Sequence, residues 1–206
     1  MTDANAQNVL WLDTCGAPSR AALFVRGELS GENVLPDRTA SADLVSAMRE
    51  LLGVERVTAV VVVSGPGSFT GVRVGLSAAK ALCEVWDVPL YAVSRLAVLA
   101  AGAELGFAAM DAGRGQLYVR DLATTRESLE DFASFVEKIV ESSSVVIAES
   151  PLANKLPNAV AREVSVADAW PLIQDAVLSE AANVALLDAN YVRSESEIYA
   201  KKPAIA

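Results

Sequence analysis

The chain has 206 residues, 52% of them hydrophobic, and carries 17 Lys and Arg against 26 Asp and Glu for a net charge of -9. That length allows one large domain or two small ones sharing a core, and the negative field repels nucleic-acid phosphates and anionic membranes, so any RNA would be held mainly by a partner. With no histidine, and with Cys15 and Cys83 as the two cysteines, His-based metal sites and Ser-His or Cys-His catalysis are excluded, and the two thiols read as small buried side chains.

The opening MTDANAQ lacks the basic-then-apolar order of a signal peptide and no apolar run reaches about 18 residues, so a cytoplasmic location and no membrane contact are expected. NVLWLD (8–13) predicts a buried strand, TCGAPS a polar turn, and RAALFVRGE a second strand returning beside the first. Residues 41–53 place Leu44, Val45, Met48, Leu51 and Leu52 at helical spacing, with Ser41 as N-cap and Gly53 as the stop. VTAVVVVS (57–64) is a continuous β-branched run suited to a central strand covered on both faces, and residues 70–86 form the helix after it. VPLYAVS (88–94) gives the next strand and RLAVLAAGAEL a short helix.

A second cycle follows. Residues 106–122 again read strand, glycine-bearing turn, strand; 128–140 predict an amphipathic helix, and SVVIAES a further strand. Asp13 and Asp111 fall at matching turns, which suggests duplication of one supersecondary unit. Prolines blur 151–170, helical spacing resumes over 168–188, and ANYVRSESEIYAKKPAIA is a polar tail. The alternation predicts an α/β protein with mixed sheets, divided into residues 1–104 and a smaller unit over 105–206 whose tail could pack back on the first.

The stretch SGPGSFTGVRVGLSAAKAL carries the most information. A Walker A loop requires G-x-x-x-x-G-K-[ST], but here five residues separate Gly65 from Gly71 and Val72 follows. The dinucleotide pattern G-x-G-x-x-G also fails, because Thr70 stands where its third glycine belongs. What remains is a turn of Gly65, Gly67 and Gly71, stiffened by Pro66, with Ser68 or Thr70 able to cap the helix. Gly71, Gly75, Ala78 and Ala79 form a small-residue stripe that would admit another helix, and apolar residues cover more of 70–86 than one sheet contact needs. Such a helix is either deeply buried or faces a partner. Ser77 and Lys80 have the Ser-x-x-Lys spacing of serine acyl-enzymes, but the companion S-D-N and K-T-G motifs are missing and the pair reads as helix surface. Asp13 and Asp111 could hold magnesium through water or cap their turns.

On this stretch, together with VLWLDTCG, VPLYAVSRLAVLA, AAMDAGRGQLYV and NYVR, the sequence resembles the TsaB (YeaZ) family, strongly over 8–122 and weakly over 123–187. The resemblance implies the actin-like, sugar-kinase-like, heat-shock-chaperone-like ATPase fold with a reduced second lobe. It implies a non-catalytic partner of the TsaD enzyme, which with TsaE completes N6-threonylcarbamoyl modification of a tRNA adenosine. The tRNA would be met only through the complex, and the isolated chain could pair with itself as a homodimer. Leu44, Met48, Leu51, Val72, Val74, Gly75, Ala78 and Leu82 would supply the interface. The glycine turn, Gly65, Gly67, Ser68, Thr70 and Gly71, would then be an inherited structural turn, and Asp13, Asp111 and Arg114 a vestigial nucleotide site. No cofactor is expected beyond a weak or shared-interface ATP or ADP with magnesium. Where many members open the first interface helix with His-Ser-Glu, this chain reads ASAD, Ala40 to Asp43.

No Gly-Gly pair is present for an adenosine-approaching turn, and no histidine for the His-x-x-x-His metal site of TsaD enzymes. The competing expectation is an ATP-binding or ATP-hydrolysing enzyme of the same fold that uses Asp13 and Asp111 around Mg-ATP.

Overall fold

A computed structural model describes residues 7–35, 40–190 and 192, with backbone only at 40–42; the expected cap Ser41, and the tail apart from 189, 190 and 192, lie outside the described residues. β1 (Asn8–Asp13), β2 (Ser19–Val25) and β3 (Glu28–Leu35) form an antiparallel meander. The chain continues through α1 (Ala40–Leu52), β4 (Ala59–Val63), α2 (Phe69–Trp86), β5 (Leu90–Val93) and α3 (Arg95–Leu99). β4 pairs parallel with β1, and β5 parallel with β4, giving the order β3-β2-β1-β4-β5. Every residue of β4 is fully buried, because β-branched side chains on both faces of a central strand are covered.

The second sheet repeats this plan. β6 (Phe107–Gly113), β7 (Gln116–Asp121) and β8 (Glu127–Asp131) are an antiparallel meander, followed by α4 (Phe132–Ser142), β9 (Val146–Ala148), α5 (Ser150–Ala153) and β10 (Ala159–Ala161). β9 runs parallel to both β6 and β10, so the order is β10-β9-β6-β7-β8. Element for element the two sheets match, except that the 18-residue α2 corresponds to the 4-residue α5. The sequence-level duplication is therefore a duplication of topology.

A 3-10 turn at Ala167–Ala169 leads into α6 (Trp170–Leu178), which returns to the first sheet and contacts β4 and β5. Val164, Val166, Ile173 and Val177 join the same apolar cluster as Trp11, Leu12 and Phe24, and the Trp170 ring stacks on Phe24 at 5.0 Å. The smaller second core centres on Phe135 and Ile139.

Several element boundaries differ from the sequence reading. β3, β8 and β10 were not expected: β3 is mostly exposed, β8 is the polar ESLED, and β10 is three residues long. The helix expected from 128 begins at Phe132, because residues 127–131 pair with β7 and the Asp131 carboxylate accepts the Ala133 and Ser134 amides as N-cap. The helix expected over 168–188 stops at Leu178, after which Ala182 N–H donates to the Leu90 carbonyl of β5 at 2.8 Å. α3 likewise ends at Leu99 instead of continuing to 105. No helix among the described residues is long and apolar enough to cross a membrane.

Because Phe24 is 1% exposed and carries the contact with α6, Phe24→Ala should lower stability by about 3–5 kcal/mol in urea unfolding. Leu178→Ala, at a position 61% exposed, should change it by less than about 0.5 kcal/mol.

Candidate functional site

The turn between β1 and β2 is built by Asp13. Its carboxylate accepts the Cys15 amide at 2.9 Å, and in the second lobe Asp111 accepts the Gly113 amide at 2.7 Å, so both aspartates close the same kind of local turn. Asp13 is 3% exposed whereas Asp111 is exposed. Arg114 sits in the second turn with φ 58°.

The glycine turn is pressed against this β1–β2 turn. Ser68 N–H donates to the Cys15 carbonyl at 2.7 Å, and Thr14 Oγ1 donates to the Gly71 carbonyl at 2.6 Å. A methyl at Gly67 would overlap the Cys15 carbonyl oxygen, at Gly71 the Thr14 carbonyl oxygen, and at Gly75 the Thr14 hydroxyl. Gly65, at φ 118°, faces the Asn190 carbonyl, which a methyl would meet at 3.0 Å. The glycines thus make room for the chain's own backbone. Ser68 is the cap of α2, its hydroxyl accepting the Gly71 amide, while Thr70 is exposed in the first turn.

This changes the expected stripe. Gly71 and Gly75 are already filled by Thr14, and Ala79 is fully buried, so of the four small residues Ala78 alone is left at the groove between α1 and α2. Leu44, Met48 and Val72 are 2–4% exposed and Gly75 is buried, so these four sit in the core of the chain, although Leu44 also forms the floor of the groove. Leu51, Val74, Ala78 and Leu82 are partly buried against the same core. The groove has a volume of about 550 Å³ and is lined by Val45, Phe69, Thr70, Arg73, Val74 and Ser77 besides Leu44 and Ala78. Val45 is 58% and Phe69 37% exposed, with the Arg73 guanidinium 3.7 Å above the Phe69 ring.

Between the lobes the sequence reading missed the main residue, Arg95. It opens α3, is 9% exposed, and donates its backbone N–H to Gly65 at 2.7 Å. Its Nη2 donates to Glu149 Oε1 at 2.9 Å, Nη1 lies 3.7 Å from Met110 Sδ, and Nε faces Asp13 Oδ2 at 3.6 Å. The guanidinium rests on Gly16, where a side chain would collide with it. Beside it, Ser94 Oγ donates to Glu127, which also accepts Arg120 at 2.8 Å and Asn190 Nδ2 at 2.7 Å. A signal was present: a basic residue at the first position of a helix opposes the macrodipole and needs another reason to be there. Asp13 and Asp111, which the competing expectation needed around Mg-ATP, are engaged in their turns, and Asp13 also faces Arg95. Among the described residues no group of three or more His, Cys, Asp or Glu could hold a metal ion.

Burial, then the neighbouring Asp13 charge, pushes the Cys15 thiol well above its ordinary range; its Sγ donates to the Val63 carbonyl at 3.0 Å. Burial, then Glu84, pushes the Cys83 thiol up to about 11.

A family model described as TsaD, tRNA N6-adenosine threonylcarbamoyltransferase, matches residues 43–186. The chain is 33% identical over 162 residues to the tRNA threonylcarbamoyladenosine biosynthesis protein TsaB of Haemophilus influenzae, a match covering 73% of this chain and 68% of that protein. The chain belongs to the TsaB (YeaZ) family. It is also 38% identical over 94 residues to the TsaB protein of Bacillus subtilis, covering 44% of this chain and 38% of that one. A crystal structure of an uncharacterized protein with similarity to peptidase YEAZ from Pseudomonas aeruginosa superimposes with a TM-score of 0.72 at 22% identity, over 91% of this chain and 100% of that one. This TsaB-family chain has two lobes, each with a five-stranded mixed sheet, and shares its fold with that Pseudomonas aeruginosa protein.

Gly71→Ala should cost about 1–3 kcal/mol, because the methyl meets backbone that cannot yield, while Ser77→Ala on the exposed side of α2 should stay within about 0.5 kcal/mol in the same urea unfolding series. A second outcome concerns pH. The unfolded Cys83 thiol ionises near 9.0 and the folded one near 11, so its contribution is intact below pH 9 and is lost as the pH rises through about 11. The urea midpoint should fall across that window, and part of the fall should vanish in Cys83→Ala.

Proposed function

We propose that this chain is a non-catalytic subunit of tRNA N6-threonylcarbamoyladenosine biosynthesis that pairs with a TsaD-type catalytic protein through α1 and α2. The observation that carries this reading is the apolar groove between those helices, with Val45, Phe69, Val74 and Ala78 at its surface in a chain of the TsaB family. Burying such a groove in an interface of standard size, about 1,600 Å² in total, would remove from water the apolar surface that α2 does not bury internally. The interface residues are accordingly those at the groove, with Leu44 beneath them, and Leu51 and Leu82 farther along the same helices. Met48, Val72 and Gly75 support the helices from inside.

In the isolated state a second copy of the chain would cover the same groove. Contact with tRNA runs through the catalytic partner, in keeping with the net charge of -9, and a TsaE-type ATPase supplies the nucleotide-dependent step. The setting is the cytoplasm. The absence of histidine supports the assignment of catalysis to the partner.

The test is a binding titration of the purified chain against the TsaD-type protein of its own organism. A 1:1 complex is expected. Val74→Asp, which would bury an unpaired carboxylate in the interface, should weaken it by about 30-fold or more while the far-ultraviolet circular dichroism stays unchanged. Undiminished pairing by that variant would remove the groove from the interface.

A further inference from the structure

We propose that Arg95 is a clasp that holds the two lobes in one fixed relative position, bridging the seam between them. Its backbone belongs to the first lobe, where its N–H is bonded to Gly65 of the glycine turn at 2.7 Å. Its side chain reaches the second: Nη2 donates to Glu149 at the N-cap of α5 at 2.9 Å, and Nη1 contacts Met110 of β6 at 3.7 Å. The third nitrogen, Nε, faces Asp13 of the first lobe at 3.6 Å. One planar guanidinium therefore faces carboxylates from both lobes, with separate nitrogens of its fixed fork turned to each.

The energetics favour a closed arrangement. Arg95 is 9% and Asp13 3% exposed. The Glu149 side chain is 29% exposed, but removing it from the guanidinium would leave a buried cation facing Asp13 alone, at a distance too long for a hydrogen bond, and a buried charge that loses a partner is costly. Ser94 adds a strut beside it through Glu127 of β8, which Arg120 and Asn190 also engage. Asn190 in turn donates its backbone N–H to the Ser64 carbonyl at 2.7 Å. The cleft wall thus presents Asp13, Glu127 and Glu149. A phosphate entering there would have to displace Arg95 and would then face like charge.

The experiment uses the full chain labelled at Glu28→Cys on β3 and Glu137→Cys on α4, both exposed positions, while native Cys15 and Cys83 are 1% and 3% exposed and stay unlabelled. Pulsed electron paramagnetic resonance reads the distance distribution between the spin labels. A single narrow distribution is expected in the parent, with at least a twofold widening in Arg95→Met and a smaller widening in Glu149→Gln. Arg20→Met, which breaks the Arg20–Glu32 pair within the first lobe, should leave the distribution as it was. A broad parent distribution, or the parent's width in both clasp variants, overturns the proposal. If Arg95→Met does not fold, Glu149→Gln alone decides, since it removes only the second lobe's half of the ion pair.

Discussion

The structure depends on one close approach: the turn at Thr14 and Cys15 lies against the start of α2, where positions 67, 71 and 75 put no side chain between them. Glycines at 67, 71 and 75 make that possible, and the Ser68 amide and the Gly71 carbonyl are bonded to the turn directly. Because α2 is held this way, its N-terminus, the glycine turn before it and the first residue of α3 all meet at the cleft. Arg95 can then bond to Gly65 through its backbone and still extend across to Glu149. A glycine-rich strand-to-helix turn without a lysine is in this protein a packing device.

The two lobes share one topology, and the unequal length of their matching helices sets what each brings to the seam between them. Both lobes keep the meander, the parallel strands and an aspartate closing the first turn. The helix after the fourth strand has 18 residues in the first lobe and 4 in the second. The first copy therefore retains a paired helical face with a groove between α1 and α2. The second contributes a short wall carrying Glu149 and Glu127. The chain then returns α6 to the first sheet, so the larger core draws on both ends of the molecule.

Long, strongly patterned elements were legible from the sequence: the β4 valines, α1, α2 and the two first hairpins. Edge strands were not, because β3 and β8 carry polar, solvent-facing residues whose pairing is settled by their neighbours, β2 and β7. The extent of α6 was misread because its apolar period continues past Leu178, where the backbone instead bonds to the edge of β5. The glycine turn stands out in the sequence, but what packs against it does not. Periodicity shows that α2 is apolar on more than one face without saying that Thr14, 57 residues before Gly71, fills one of them. The place of Arg95 at the first position of a helix, against the dipole, flags it in the sequence, but its partner Glu149 is legible only once the second lobe brings it there.

The most direct test of a cleft and glycine turn occupied by the chain itself is a Mg-ATP titration of the isolated protein, followed through the backbone amide resonances of Thr14, Cys15, Gly65, Gly67 and Gly71. No saturable shift is expected at these amides, since Thr14 and Cys15 already pack against Gly67 and Gly71, the Asn190 carbonyl already faces Gly65, and Arg95 lies between the carboxylates of Asp13 and Glu149. Saturable 1:1 shifts centred on those five residues would contradict this and return the turn to phosphate chemistry.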